Sequence, residues 1–534
     1  MIKPLGKIVI VGGGSAGWMT AAALVKAFPA KEIIVIESPD VPILGVGEST
    51  LGGINDYCNF LEIDEKDFMT HTDASYKMSI KFTDFYEKDS GGFHYPFGHP
   101  YIKDTHDGMQ DWLTKKALYP DTPVQDFVNC FFPAAALWDQ NKFALNKYGQ
   151  FDSYSPDSDV AYHFDATKFG AWLRERYCKP RGVVHLANTV VSVNTNDNGI
   201  ESLVLDDGQQ VMSDLFIDCT GFKSLLLGGA LKEPFVSYNH MLPNNRAWAT
   251  RMPYKDKDRE MEPFTNSTAL GNGWSWNIPS WERLGTGYVY SDKYISSEDA
   301  LEEFKVYLMS DKMICPRTRE EVDSLQYRDI PMRVGIHRRT FVKNCVAIGL
   351  SAGFIEPLES NGLFSVHEFL FKLIKTLQRP AVTQWDMDVY NGTVFGLWRN
   401  FAEFVALHYA LSIRTDTEYW KANANRVYEP GMETLEPNNA VGFFRLQEDK
   451  MFNFRTPDIG GITWVSVGMN YFILDKVTVD LREKYQKVSL KKQMDPIFRM
   501  FEERKTRWLE AAKNQPSLYQ YLKTHIHKDN TKEQ

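Results

Sequence analysis

The sequence predicts a mixed α/β (α+β) fold: a Rossmann-like dinucleotide-binding domain, a second β-sheet region and a mostly helical C-terminal part. Three observations predict it. Lys7 to Val11 reads KIVIV and runs into Gly12-Gly13-Gly14-Ser15-Ala16-Gly17, a G-x-G-x-x-G, before an apolar, Ala-rich stretch from Trp18 to Phe28. Strand-like apolar runs ending in turns recur at 214–221 and 346–349. From about 383 the apolar spacing turns helical and stays so.

Taken in order, KIVIV is the continuous apolar run of a buried parallel strand. The glycines allow a tight turn and let backbone approach a pyrophosphate, whose charge sits on the helix N-terminus. Gly12, Gly14, Ser15, Ala16 and Gly17 are therefore candidate cofactor contacts. A second strand, Glu32 to Ile36, ends in Glu37, twenty residues after Gly17, where a carboxylate meets a ribose hydroxyl. The alternative is a tight strand–helix turn with no ligand. Gly45 to Thr50 reads GVGEST, a loop returning to the cofactor, and adds Gly47, Glu48 and Ser49. Asp214 to Gly221 (DLFIDCTG) is a strand ending in Thr-Gly, and Val346 to Gly349 another, which adds Gly349. Returns this late in the chain favour an extended FAD over NAD.

The first domain is thus expected to be a Rossmann-like FAD-binding module of the flavin monooxygenase type over 1–382. It is discontinuous (about 1–60, 160–235 and 335–382), with inserted β-sheet segments on the substrate side. A helical, substrate-capping subdomain follows over 383–525, and 526–534 is a polar, frayed tail. Asp495-Pro496 opens the clearest late helix, with Pro at its first position and an apolar face of Ile497, Phe498, Phe501, Trp508 and Leu509.

The composition excludes several classes. A formal net charge of -9 over 534 residues implies no nucleic-acid partner. No basic tract points to a membrane surface, and no apolar stretch approaches the ~20 residues of a membrane helix. Six cysteines without a C-x-x-C pair signal neither a zinc site nor a redox pair. They suit a reducing cytoplasm, and a chain that enters a strand at once shows no signal peptide.

Three stretches carry candidate chemistry. Tyr76 to Phe82 alternates: Tyr76, Met78, Ile80 and Phe82 on one face, Lys77, Ser79 and Lys81 on the other. The lysines are a solvated face, or else line a cavity where desolvation lowers a lysine pKa toward reactivity. Gly353 to Gly362 (GFIEPLESNG) precedes an amphipathic helix, with Ser360 or Asn361 as N-cap and Gly362 in its first turn. The free N–H groups there form an anion site beside Glu359; the alternative is an ordinary capped helix, with Glu359 favouring its dipole. His367 falls on the apolar side, as a core histidine. Gly273 to Pro279 reads GWSWNIP. On a strand Trp274 and Trp276 point to one side, as stacked indoles making a rigid apolar wall closed by Ile278 and Pro279. Such a wall suits an enzyme that keeps its flavin apart from something reactive.

Together these pieces resemble the flavin-dependent halogenases of the tryptophan-halogenase type. The fingerprint at 12–17, GVGEST at 45–50, ASYKMSIKF at 74–82, HFDATKF at 163–169, FIDCTGF at 216–222, GWSWNIP at 273–279 and IEPLESNG at 355–362 carry the likeness, in matching order over residues 1 to about 425. The resemblance implies a tryptophan 7-halogenase-like enzyme using FAD (as FADH2), O2 and a halide ion. A flavin hydroperoxide oxidises halide, held at Asn361 and Gly362, to hypohalous acid. An internal tunnel carries it to Lys77, which hydrogen-bonds it or becomes a haloamine. Glu359 aids the electrophile or takes the arenium proton. Trp274 and Trp276 keep substrate from the flavin, and Ser360, Ile278 and Pro279 line the same region. A separate NAD(P)H-dependent flavin reductase supplies FADH2, since no nicotinamide site is evident. A homodimer is implied by the resemblance alone.

Departures shape the expected specificity. Asn361 stands where the family commonly has Thr, so bromide and even iodide are expected to compete with chloride, since larger halides lose less on dehydration. The tryptophan-specific enzymes carry His two residues before the Phe of an F-G pair; here Phe97-Gly98 is kept, Tyr95 takes that position and His94 lies one back. Their aromatic, acidic C-terminal lid has no match in Met451 to Phe472, where Trp464, Tyr471 and Phe472 come in a different order. The expected substrate is therefore a small electron-rich aromatic (an indole, phenol or aniline) rather than strictly free tryptophan, with Phe97 and Trp464 as pocket walls or core. The alternative enzyme is an FAD-dependent aromatic hydroxylase, and the non-enzymatic alternative a flavin-binding redox sensor.

Overall fold

The computed structural model describes residues 5–41, 48–102, 109–426, 462–470 and 488–528. Contacts divide the chain into two units. The first gathers Met1–Ala74, Tyr162–Ala247 and Asp329–Glu403; the second gathers Ser75–Ala161, Trp248–Arg328 and Phe404–Gln534. The helical region expected from 383 is thus shared: 384–403 belongs to the first unit and 404 onward to the second.

The first unit is built on a six-stranded sheet. Its order is Phe341–Val342, Cys345–Ala347, Leu215–Asp218, Lys7–Val11, Glu32–Ile36, Val184–Leu186. Lys7–Val11 runs parallel to both neighbours, with Ile10 between Val35 and Ile217. Ile8, Val9 and Ile10 are fully buried, as a central parallel strand with two covered faces demands. The helix Ser15–Ala27 packs on the helices Ala166–Trp172 and Gly362–Leu377. A small sheet of Phe235–Ser237, Gly335–His337 and Gly353–Phe354 delivers the chain to residues 355–362.

The second unit holds most of a seven-stranded sheet ordered Arg328–Pro331, Arg246–Met252, Leu284–Tyr290, Gly273–Pro279, Phe264–Ala269, Ser79–Thr83, Gly92–Pro96. GWSWNIP is a central strand, antiparallel to both neighbours. Trp276 lies opposite Gly287 on one side and Ser267 on the other. These small neighbours make room for the indole: a Cβ on Gly287 would sit 2.1 Å from the Trp276 ring.

Three expectations are corrected. The 76–82 alternation is broken: one strand ends at Lys77 and the next begins at Ser79, because the Met78 N–H leaves the ladder for Pro263 O at 2.7 Å. The late helix spans Val488–Lys513, with Pro496 inside it rather than at its start. An interior proline costs about 3 kcal/mol; the buried face of Phe498, Phe501 and Trp508, packed on Tyr119, Phe131 and Tyr101, carries the helix through it. Leu509 is off that face and exposed. Finally, the tail expected to fray from 526 is anchored at its beginning: Ile526 and His527 are buried, and the His527 ring stacks on Trp281 at 4.3 Å.

Overpacking beside a rigid ring destabilises by about 1–3 kcal/mol. Gly287→Ala is therefore expected to lower the thermal unfolding midpoint and perturb the fluorescence of Trp276, as read by melting followed at tryptophan emission. An unchanged midpoint would refute the packing described.

Candidate active site

In the first unit the fingerprint forms a close-packed turn. Gly12 has φ +112°, and a Cβ there would lie 2.2 Å from Cys219 O, so only glycine fits. A Cβ on Gly17 would meet Gly12 O at 1.9 Å. Gly14 differs: it is the N-cap of Ser15–Ala27, without a side-chain cap, and among the described residues nothing lies within 4 Å of the place its Cβ would take. Uncapped helix N–H groups facing open space fit a dinucleotide pyrophosphate. Ser15 Oγ donates to Ala166 O at 3.0 Å, which ties the turn to the HFDATKF segment. There Asp165 caps its helix, accepting from the N–H groups of Thr167 and Lys168. Gly349, at φ +72°, turns the chain beside Ala16.

Glu37 follows its strand as expected. Its Oε2 lies 2.9 Å from His185 Nε2 and 3.5 Å from Arg174 Nη1, two partners the sequence reading missed. Burial holds the His185 pKa below its ordinary value, against the pull of Glu37, so the ring is neutral near pH 7. In FIDCTGF, Asp218 is structural: its carboxylate accepts from the N–H groups of Thr220, Leu226 and Leu227.

The 355–362 segment also lies in the first unit. Ser360 takes a left-handed conformation, φ 56°, and the helix starts at Gly362 with Asn361 as N-cap. Asn361 does not cap with its side chain. It is fully buried; its Nδ2 is 3.5 Å from Glu356 O, and its Oδ1 has no hydrogen-bond partner among the described residues. The Asn361 side chain therefore leaves the main-chain N–H groups at this end uncapped, and its amide sits next to them. The hydroxyls of Ser49 and Ser360 are 3.0 Å apart, joining GVGEST to IEPLESNG. Glu48 opens the strand Glu48–Ser49, paired with Ala161–Phe164; Gly47 lies outside the described residues. Glu359 is buried. Glu356, also fully buried and not anticipated from sequence, accepts from Asn244 Nδ2 at 2.8 Å. His367 is buried in ring contact with Tyr57 and Phe364, as expected of core.

The second unit holds the lysine and the tryptophans. Lys77 is 0% exposed, not on a solvated face, and its Nζ sits 4.9 Å from the centre of the Phe97 ring. A desolvated cation–π contact of this kind contributes up to about 2 kcal/mol. Tyr95 is half-buried, edge-on to Phe97 at 6.1 Å. His94 points elsewhere: Nδ1 is 2.9 Å from Ser79 Oγ and the ring stacks on Trp138. Burial, helped by Lys81, holds its pKa well below the usual histidine value, so it stays neutral. Trp274 and Trp276 are both buried on one strand, with centroids 6.1 Å apart. They are tilted by 57° and so are not stacked, since the gap at Gly287 lets the Trp276 ring lean over the neighbouring strand. Ile278 is buried after them, and Pro279 O accepts from Ser75 Oγ, tying this strand to the segment of Lys77. Trp464 is buried against Phe127 and Phe132, a core position. Tyr471 and Phe472 lie outside the described residues.

Residues 7–465 match the family model described as tryptophan halogenase. The chain belongs to the tryptophan halogenase family. This family is flavin-dependent and uses FADH2, O2 and halide. Tryptophan 6-halogenase SttH of Streptomyces toxytricini is 35% identical over 79% of this chain and 81% of its own length. Tryptophan 7-halogenase RebH of Lentzea aerocolonigenes is 34% identical over 81% of each. Among solved structures, VirX1 in its apo form superposes with a TM-score of 0.88 at 36% identity, covering 98% of this chain and 99% of its own. Because these halogenase relatives bear names for both position 6 and position 7, the likeness does not single out position 7. No helix among the described residues is long and apolar enough to cross a membrane.

The glycines separate two effects. Gly12→Ala is expected to abolish folding of the first unit, because its clash is with backbone. Gly14→Ala should fold normally yet bind FAD about tenfold more weakly, the effect of ~1.4 kcal/mol. Circular dichroism and FAD titration check both; equal FAD affinity for Gly14→Ala and the parent protein would refute the placement of the pyrophosphate.

Proposed function

We propose that this chain is an FADH2- and O2-dependent halogenase of electron-rich arenes that works through Lys77. The observation that carries the reading is the amine of Lys77, fully withdrawn from solvent against an aromatic ring. Gly12, Gly14, Ser15, Ala16, Gly17, Glu37 and Gly349 would hold the cofactor, with Gly47, Glu48 and Ser49 on its return loop. Reduced FAD with dioxygen supplies the oxidising equivalents that turn halide into hypohalous acid.

The chain's own residues do the rest. The main-chain N–H groups at Asn361 and Gly362 hold the halide, by the charge preference of a helix N-terminus, about 0.3–1 kcal/mol and more when buried. That is weak enough for halide to exchange. The Nζ of Lys77 receives hypohalous acid along an internal path, by hydrogen bond or as a haloamine. The arene carbon then attacks the halogen, and Glu359 takes the proton from the arenium. Trp274, Trp276, Ile278 and Pro279 keep the arene away from the flavin, which suppresses hydroxylation; an aromatic hydroxylase is therefore not favoured. Tyr95 and Phe97 offer the arene an aromatic wall near Lys77 that lacks the His of tryptophan-specific enzymes. Indoles and phenols fit such a wall without an amino-acid clamp, so neither free tryptophan nor position 7 is required.

A separate NAD(P)H-dependent reductase delivers FADH2. Six free cysteines support a reducing, cytoplasmic setting.

The test is an arene panel with a separate flavin reductase, mixed halides and product mass. Halogenated arenes are expected, with bromide competing well against chloride at equal concentration, and no turnover with NADH when the reductase is omitted. Hydroxylated products without halogen would overturn the reading. Asn361→Thr is expected to move the bromide-to-chloride product ratio toward chloride; an unmoved ratio would remove Asn361 from halide selection.

A further inference from the structure

We propose that Tyr95 is where this enzyme halogenates itself when no arene is bound. The inference rests on the preceding reading, in which Lys77 holds the oxidant. It starts from which rings surround that amine. Phe97 lies against it, its centroid 4.9 Å from Nζ, and Tyr95 packs edge-on to Phe97 at 6.1 Å and 79°. The neighbouring rings on these strands, Phe82, Phe93 and Phe97, are buried phenyls with no electron-donating substituent. Tyr76 carries a phenol, but it is buried and Phe143 covers its face in a stack at 4.4 Å. Tyr95 is half-buried, tilted against Phe404 at 6.2 Å, and retains open surface. Tyr95 is thus an activated, partly exposed ring one contact beyond Phe97 from the proposed oxidant.

The chemistry needs nothing beyond the enzyme's own oxidant. An ortho carbon of the phenol attacks the halogen of hypohalous acid. The C–X bond forms, the X–O bond breaks, and its electron pair leaves as hydroxide. Hydroxide and the displaced ring proton combine as water, giving a halotyrosine. From a Lys77 haloamine the N–X bond breaks instead and the amine is restored with the same proton. Substrate bound over Tyr95 would both consume the oxidant and shield this ring.

The chain supplies its own control. Tyr148 is 92% exposed, so hypohalous acid that escapes into bulk water meets it freely. The experiment is turnover with FADH2, dioxygen and bromide but no arene, with free methionine present to scavenge escaped oxidant, followed by tryptic peptide mass spectrometry. Residues 89–103 form one peptide that carries both Tyr95 and Tyr101, which fragment ions separate. Oxidant held in place acts at a high effective concentration, so bromine on Tyr95 should exceed that on Tyr148 by at least about tenfold. An added phenol or indole should suppress the label on Tyr95, and Tyr95→Phe should remove bromine from the peptide. Equal labelling of Tyr148, or bromine persisting in the Tyr95→Phe peptide, overturns the assignment. An unlabelled Tyr95 in protein that does halogenate added arenes sinks this inference alone. Protein that halogenates neither an added arene nor itself sinks the parent reading and this inference with it.

Discussion

The withdrawal of one lysine amine from water is the constraint on which the rest of the reactive architecture depends. A buried amine is costly unless its surroundings compensate it, and Phe97 offers its ring face to Nζ. The fold reaches this arrangement by interrupting a strand. Met78 gives its N–H to Pro263 rather than to the ladder, so Lys77 ends one strand and Ser79 begins another. Ser75 then fastens the incoming segment to Pro279, at the end of the tryptophan strand. The lysine and the indole pair are thus placed by the same few hydrogen bonds of the second unit.

The first unit carries two helix starts that no side chain of their own N-cap residue caps. At Ser15–Ala27 the helix start is left uncapped, and glycines keep side chains out of the space before it. At Gly362–Leu377 a left-handed Ser360 turns the chain, and Asn361 occupies the cap position without capping. Both ends expose main-chain N–H groups whose partner is not a side chain of the helix start. One suits a pyrophosphate and the other a small anion, and the difference lies in what surrounds them. Gly14 opens on space, whereas Asn361 is fully buried beside Glu356.

Much of this was legible in the sequence where the signal was local. KIVIV, the glycine turn, the strand ending before Glu37 and the amphipathic run from Leu363 all rest on periodicity or backbone requirements within a few residues. They appear at Lys7–Val11, Ser15–Ala27, Glu32–Ile36 and Gly362–Leu377. What was not legible depends on partners far along the chain. Nothing in the spacing pairs Ser49 with Ser360, Glu356 with Asn244, or Glu37 with Arg174 and His185. The alternation over 76–82 misled for the same reason: the bond that breaks it comes from Pro263. Pro496 misled because a proline at a helix start and one carried inside a well-packed helix look alike until the aromatic face beyond it is seen to be buried.

The most direct measurement of the central claim is single-turnover halogenation by Lys77→Ala, with FAD affinity and halide oxidation followed in the same samples. If the buried amine handles the oxidant, the variant binds FAD as the parent does and still consumes halide. Its halogenated arene falls by about 100-fold or more, the scale expected for a group that acts in the transition state, while oxidant appears in a bulk scavenger. Undiminished arene halogenation by a folded, FAD-binding Lys77→Ala protein would contradict the account.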